Sequence, residues 1–256
     1  MVITYEQVKV FLLIFSRFSG VIVAGPFFNM KSLFSLGKLA LTFWISALVL
    51  FVIPLPEALP LTLPALFISM IVDFMIGIAI GFISNLIIMS VSFAGTLMDT
   101  QAGLSSAATL DPISGANSAL LEQLMQFLAI ILFLLINGHH ILISAVFESF
   151  SVLPLGHPID FSQGSRYIVS LGATLFSIGF QLASPIILVV FIVDFCFGIL
   201  NKVAEQVNVF QLGFQVKPII SVFIFLGIAP GFLYILIKIV ENSLGHIIKF
   251  LGLLAQ

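Results

Sequence analysis

The chain has 256 residues, of which 61% are hydrophobic and 8% charged, with a formal net charge of −2 and a mean hydropathy of +1.27. Soluble domains carry roughly 25% charged residues, so this composition excludes a soluble globular surface. It also excludes a nucleic-acid-binding chain, because no basic run capable of tracking phosphates occurs.

The first apolar run follows Glu6 and Lys9, contains Arg17 and continues to Phe28 without a small-x-small cleavage site, so it reads as a retained segment. Apolar periodicity and length predict helices at about 6–28, 38–53, 63–93, 120–148, 166–200 and 217–240, with a short terminal one at 243–254. The cluster Pro54-Leu55-Pro56 with Pro60 and Pro64, and the stretch Leu153-Pro154-Leu155-Gly156-His157-Pro158, mark turns, since proline removes an amide donor and fixes its own φ. No gap holds a separate soluble domain, and residues 1–256 are expected to form one domain of an all-α, polytopic membrane protein. Lys31, Lys38, Lys202 and Lys217 fall in or beside the connections at 29–38 and 201–217, which the positive-inside rule places on the cytoplasmic side.

The segment from 95 to 119 differs from the rest. It turns to Gly, Ala, Ser, Thr and Asn with Asp99, Gln101, Asp111 and Pro112. About 20 residues of irregular backbone are uncommon unless functional or disordered. Within a membrane protein such backbone must be enclosed by protein or line a wet cavity, because lipid satisfies no amide. A pore element is therefore the leading reading, and a solvent loop the other.

Arg17, Asp73, Glu148 and Asp194 lie in or at the edge of apolar runs, where a central Arg or Asp costs about 2.5–3.5 kcal/mol. They are expected to face protein or water, either as a proton relay or, the favoured reading, as pairing between helices or subunits. Val72-Asp73-Phe74 with Gly77-Ile78 recurs as Val193-Asp194-Phe195 with Gly198-Ile199, a match read as shared packing need or chance. Gly77 and Gly81 form a GxxxG pair that admits another helix backbone, from this chain or another. His139, His140, His157 and His246 have no metal-ligand spacing, and Cys196 stands alone in an apolar run. No nucleophile elbow, HExxH or Walker sequence is present, so neither an enzyme nor a cofactor is expected.

A family resemblance rests on motifs in order along nearly the whole chain. Ala94-Gly95, Asp99, Gln101 and Gly103-Leu104-Ser105 are followed by Asp111-Pro112; then come Asn137-Gly138-His139, Ser149-Phe150 and Leu153-Pro154. Gly179-Phe180, Leu182-Ala183 and Pro185 follow, with Gly198-Ile199-Leu200, Gln206, Asn208-Val209-Phe210 and Gly213-Phe214. The set resembles the FliR family of flagellar type III export-gate proteins, related to the injectisome SctT and SpaR proteins. Phe34, Glu205 and Gln215 stand where that family usually has proline, and Lys202 where it usually has arginine.

The resemblance implies bent helical hairpins packed into a helical export-gate assembly in the bacterial inner membrane, at the flagellar basal body. It implies FliP-like and FliQ-like partners, an associated FlhB-like protein and unfolded export substrates. It also implies that the central loop plugs the closed channel, a role carried over to Gly103, Leu104, Ser105, Leu110, Asp111, Pro112 and Ile113. Small residues fit a narrow lumen, and Leu104, Leu110 and Ile113 would exclude water. A stand-alone secondary transporter, motivated by Asp73, Asp194 and Arg17, is the alternative from another class, and the equivalent injectisome subunit is a third reading.

Overall fold

In the computed structural model the described residues are 4–26, 34–53, 62–104, 119–155, 161–204, 206 and 208–255. They form eight α-helices: α1 (Tyr5–Ala24), α2 (Ser35–Leu50), α3 (Leu63–Ala102), α4 (Leu120–Leu135), α5 (Gly138–Val152), α6 (Phe161–Val203), α7 (Val209–Glu241) and α8 (Ser243–Leu254). Among the described residues there is no strand. Four helical stretches are long and apolar enough to cross a membrane, or five if the broken pair α4 and α5 makes one span. The protein is all-α and polytopic.

At 1.5 Å per residue, α3 and α6 each extend about 60 Å, roughly twice the hydrocarbon thickness of a bilayer. Only 22% of the most apolar window of α6 is buried within the chain, and the same holds for the stretch that begins in α7. Most of the apolar surface of these helices is therefore left for lipid or for other chains.

Four boundaries differ from the sequence expectation, three of them for a visible local reason. The helix expected to stop near residue 93 runs to Ala102, so the first part of the supposed loop at 95–119 is helical. Its small polar residues satisfy themselves on the turn below: Thr96 Oγ1 donates to the Ser92 carbonyl at 3.0 Å and Thr100 Oγ1 to the Thr96 carbonyl at 2.8 Å. The single helix expected over 120–148 is broken at Asn137, which adopts the left-handed conformation (φ 57°) and starts α5 afresh. Asparagine tolerates that region better than other side chains. The expected connection at 201–217 is mostly helix, because α6 reaches Val203 and α7 begins at Val209. Lys217 thus belongs to a helix and pairs with a carboxylate, and it gives no loop charge to the orientation argument. The first helix ends at Ala24 rather than near 28.

Prolines inside α6 and α7 are tolerated. Pro185 lacks the amide that would bond the Gln181 carbonyl, and the Ser184 hydroxyl donates to that carbonyl instead, at 2.7 Å. The turns expected at Pro54-Leu55-Pro56 and at 156–158 lie outside the described residues, as do Ser105, Leu110, Asp111, Pro112 and Ile113 of the proposed plug.

The chain divides into two compact units, each built from separated segments. One comprises Met1–Ile87, Phe133–Leu171 and Ile239–Gln256. Its buried side chains include Leu13, Ile14 and Phe18 of α1, Ile76, Ile80 and Ile83 of α3, Leu142 and Val146 of α5, and Phe250 and Leu251 of α8. The other comprises Ile88–Leu132 and Gly172–Lys238. Its core gathers Val91, Ala94 and Met98 of α3, Leu121 and Met125 of α4, Ala183, Ile186 and Val190 of α6, and Phe225, Phe232 and Leu236 of α7.

Candidate functional site: the root of the central loop and two ion pairs

In the second unit, the loop that leaves α3 and enters α4 is held at both feet by one residue. Asp99, in the last turn of α3 and 1% exposed, accepts the Leu121 amide on Oδ1 at 3.0 Å and the Glu122 amide on Oδ2 at 2.9 Å. These are unsatisfied first-turn donors of α4, and a carboxylate there also meets the positive end of the helix dipole. The backbone carbonyl of Asp99 accepts the amide of Leu104, at 3.0 Å, where the chain departs. A turn at Gly103, with φ +76°, makes that departure possible without side-chain strain.

Two further contacts fix α4 to α3. The Ser92 hydroxyl donates to Glu122 Oε1 at 3.0 Å, and Gly95 lies so close to α4 that a Cβ would stand 2.5 Å from the Cα of Glu122. Leu104 packs against the core of this unit. Of the residues expected to plug a channel, Gly103 and Leu104 are therefore the root of the loop. Asp99 and Glu122 escaped sequence reasoning as clamp residues, since a separation of 22 or 23 positions carries no local pattern. The one available signal was a carboxylate one turn before a glycine at a helix end.

Asp99→Ala is expected to cost about 1–2 kcal/mol of local stability, the usual worth of such a cap. Amide exchange at Leu121 and Glu122 would quicken by roughly tenfold while the rest of the core stays protected. Unaltered exchange at those amides would show that the clamp contributes nothing.

Beside this root, in the same unit, lies a cleft of about 620 Å³ lined by Thr100, Gln101, Gly103, Asn201, Asn208 and Phe214, with Asp194 and Lys217 on its wall. Asp194 on α6 and Lys217 on α7 form an ion pair whose side chains are 46% and 23% exposed. Such a half-open pair contributes at most about 1 kcal/mol, and it pins the two long helices near their joined ends.

The first unit holds the other sequence-named pair. Arg17 on α1 is fully buried and directs Nε to Asp73 Oδ1 at 2.8 Å, with Nη2 bonding the same oxygen at 2.5 Å. Its Nη1 donates to Ser149 Oγ at 3.0 Å and to the Leu153 carbonyl at 3.1 Å. The guanidinium carbon lies 4.4 Å from the centroid of the Phe150 ring. Arg17 thus joins α1, α3 and the end of α5. Asp73 Oδ2 is buried and has no partner among the described residues.

Both copies of the Val-Asp-Phe motif therefore present aspartate to a cation on a neighbouring helix, closed in one unit and half-open in the other. Gly77 and Gly81 are spent inside the chain. A Cβ on Gly77 would run into the Arg17 carbonyl, one on Gly20 into the Phe74 carbonyl, and one on Gly81 would stand 2.9 Å from the Val21 carbonyl. This close crossing of α1 and α3 is what lets the short Arg17–Asp73 bonds form.

Glu148 is exposed, the rings of His139 and His140 lie with centroids 4.2 Å apart and tilted by 37°, and His246 Nδ1 lies 2.9 Å from the Tyr167 hydroxyl. Among the described residues no group of three or more His, Cys, Asp or Glu is placed to hold a metal ion.

Long apolar helices, two intrachain ion pairs among them, one buried and one half-open, and a clamped central loop define a polytopic helical membrane protein. The family model described as bacterial export proteins, family 1, matches residues 8–243. The chain is 26% identical over 231 residues to the flagellar biosynthetic protein FliR of Bacillus subtilis, covering 89% of this chain and 88% of that one. It is 31% identical over 202 residues to FliR of Pectobacterium carotovorum, covering 79% and 77%. It is also 28% identical over 165 residues to the secretion system apparatus protein SsaT of Salmonella typhimurium, covering 64% and 62%. The chain belongs to the FliR family of bacterial export proteins.

Proposed function

We propose that this chain is a non-catalytic core subunit of the flagellar type III protein-export gate, in the bacterial inner membrane at the flagellar basal body. It assembles with FliP-like and FliQ-like subunits, receives a FlhB-like protein, and forms part of the channel for unfolded export substrates. The loop across 103–118 supplies the plug.

The observation that carries this reading is the Asp99 clamp. A plug must be tight when closed and displaceable when open, which requires rigid feet and a span with few anchors. Asp99 supplies rigid feet on α3 and α4, and residues 105–118 between them are dominated by Ser, Ala, Asn and Gly, with Leu110, Pro112 and Ile113 as the three larger apolar side chains. Deleting 105–115, which leaves Leu104 and Asp99 in place, is expected to raise ion leakage across the inner membrane. Conductance equal to wild type in the assembled deletion complex would overturn the plug.

The transporter reading has less support, because Arg17 and Asp73 are consumed by each other and by Ser149 and Leu153 in a closed site. Purification separates the two. A gate subunit comes out with other small hydrophobic chains or aggregates alone, whereas a transporter is a stable monomer or homo-oligomer. The flagellar form is favoured over the injectisome form because the matches to FliR of Bacillus subtilis and of Pectobacterium carotovorum span 89% and 79% of the chain, against 64% for SsaT.

A further inference from the structure

The face of α3 that meets α4 carries Ser92, Gly95 and Asp99, spaced by three and four residues, as one seam about 10 Å long. Both ends of the seam hold the same residue of α4. The Ser92 hydroxyl donates to the side chain of Glu122, while the Asp99 carboxylate accepts the Glu122 amide together with that of Leu121. Two carboxyl groups therefore share the first turn of α4. They share it without a counter-charge: among the described residues neither takes part in an ion pair, and the one charge acting on Asp99 is that of Glu122, of the same sign. The neighbouring core side chains Met98, Leu121 and Met125 are buried and apolar.

The other charged and titratable groups of this unit lie elsewhere. Asp194 on α6 and Lys217 on α7 pair with each other on the wall of the neighbouring cleft, and Cys196, Lys202, Tyr234 and Lys238 are exposed. The clamp thus depends on the ionisation of a single buried side chain. A carboxylate offers lone pairs on both oxygens, and Asp99 uses both, one for each amide. A proton on either oxygen turns that acceptor into a donor facing an N–H group, so one of the two bonds is lost and a first-turn amide of α4 is left bare. The route for the proton is short, because Thr100, Gln101 and Gly103, next along the chain, line the cleft.

We infer that Asp99 is a proton-operated latch: uptake of one proton releases the first turn of α4 from α3. The neighbouring negative charge of Glu122 favours that uptake. The latch takes its consequence from the plug reading, on which it rests: the proton is then the ligand that loosens the mounting of the loop.

The test follows amide exchange in the complex assembled with its partner subunits, between about pH 8 and about pH 4, each rate divided by that of the unfolded chain at the same pH. Protection at Leu121 and Glu122 is expected to fall roughly tenfold on acidification, while the amides of Ala183 and Ile186, in the core of the same unit, stay protected. Asp99→Asn, whose amide group donates where a carboxylate oxygen accepts, is expected to show the lowered protection at every pH. Glu122→Gln retains an acceptor for Ser92 and is expected to keep full protection at neutral pH and to hold it further into acid. Protection at Leu121 and Glu122 that does not change with pH in the unmodified chain, or a Glu122→Gln curve that coincides with the unmodified one, would overturn the latch whether or not Asp99→Asn folds. So would an Asp99→Asn protein that keeps the unmodified response. Ion leakage of the same complex in vesicles separates the two readings: exchange that responds to acid while leakage does not leaves the latch standing and overturns the plug.

Discussion

Arg17→Leu is expected to lower sharply both the yield of the folded chain in the membrane and its thermal midpoint. The side chain is fully buried and bonds Asp73, Ser149 and the Leu153 carbonyl. Its removal leaves the Asp73 carboxylate buried without a counter-charge and two further acceptors without a donor. Breaking a buried pair in this way costs about 3–5 kcal/mol, against a total stability of about 5–15 kcal/mol for a typical domain. The double change Arg17→Leu with Asp73→Leu removes both charges together and is expected to be milder than either single change, because burial of an unpaired charge, rather than loss of attraction, is what destabilises. The readout is the temperature at which half of the detergent-solubilised protein leaves the monodisperse peak. An Arg17→Leu protein with the wild-type midpoint would show that the pair is energetically neutral.

The second large effect is expected from Gly77→Val. Its Cβ would collide with the Arg17 carbonyl, and no side-chain rotation relieves a clash with backbone. Helices α1 and α3 must part, and the Arg17–Asp73 bonds one turn away lengthen with them. The expected penalty lies at or above the upper end of the overpacking range of about 1–3 kcal/mol. Gly198→Val provides the control, because it stands at the matching position of the second Val-Asp-Phe motif and its Cβ would meet nothing within 4 Å. It is expected to shift the midpoint little. Equal losses from both substitutions would mean that helix propensity, not the crossing, determines the outcome.

The contrast between those two glycines shows what sequence patterning could and could not supply. Composition and apolar run length were enough for an all-helical membrane protein, and the cost of intramembrane charge was enough to require partners for Arg17 and Asp73. That Arg17 meets Asp73, and that Ser149 completes its shell, depends on where the α1–α3 and α5 surfaces meet, which no local pattern encodes. The GxxxG spacing of Gly77 and Gly81 implied a close approach without saying by which helix. Sequence composition misled at 95–102, where glycine and threonine suggested loop; the threonine hydroxyls instead bond their own turn and Gly95 admits α4. It also missed the break at Asn137, because apolar residues continue on both sides of a single left-handed residue.

Because Asp99 ties the chain at its exit from α3 and again at its entry to α4, the two helices keep their register whatever length of polypeptide hangs between them. For such a tethered span, the entropic cost of lengthening grows only logarithmically, by about 0.6 kcal/mol per doubling. A change in the length of the connecting segment is thus expected to leave its mounting on α3 and α4 in place.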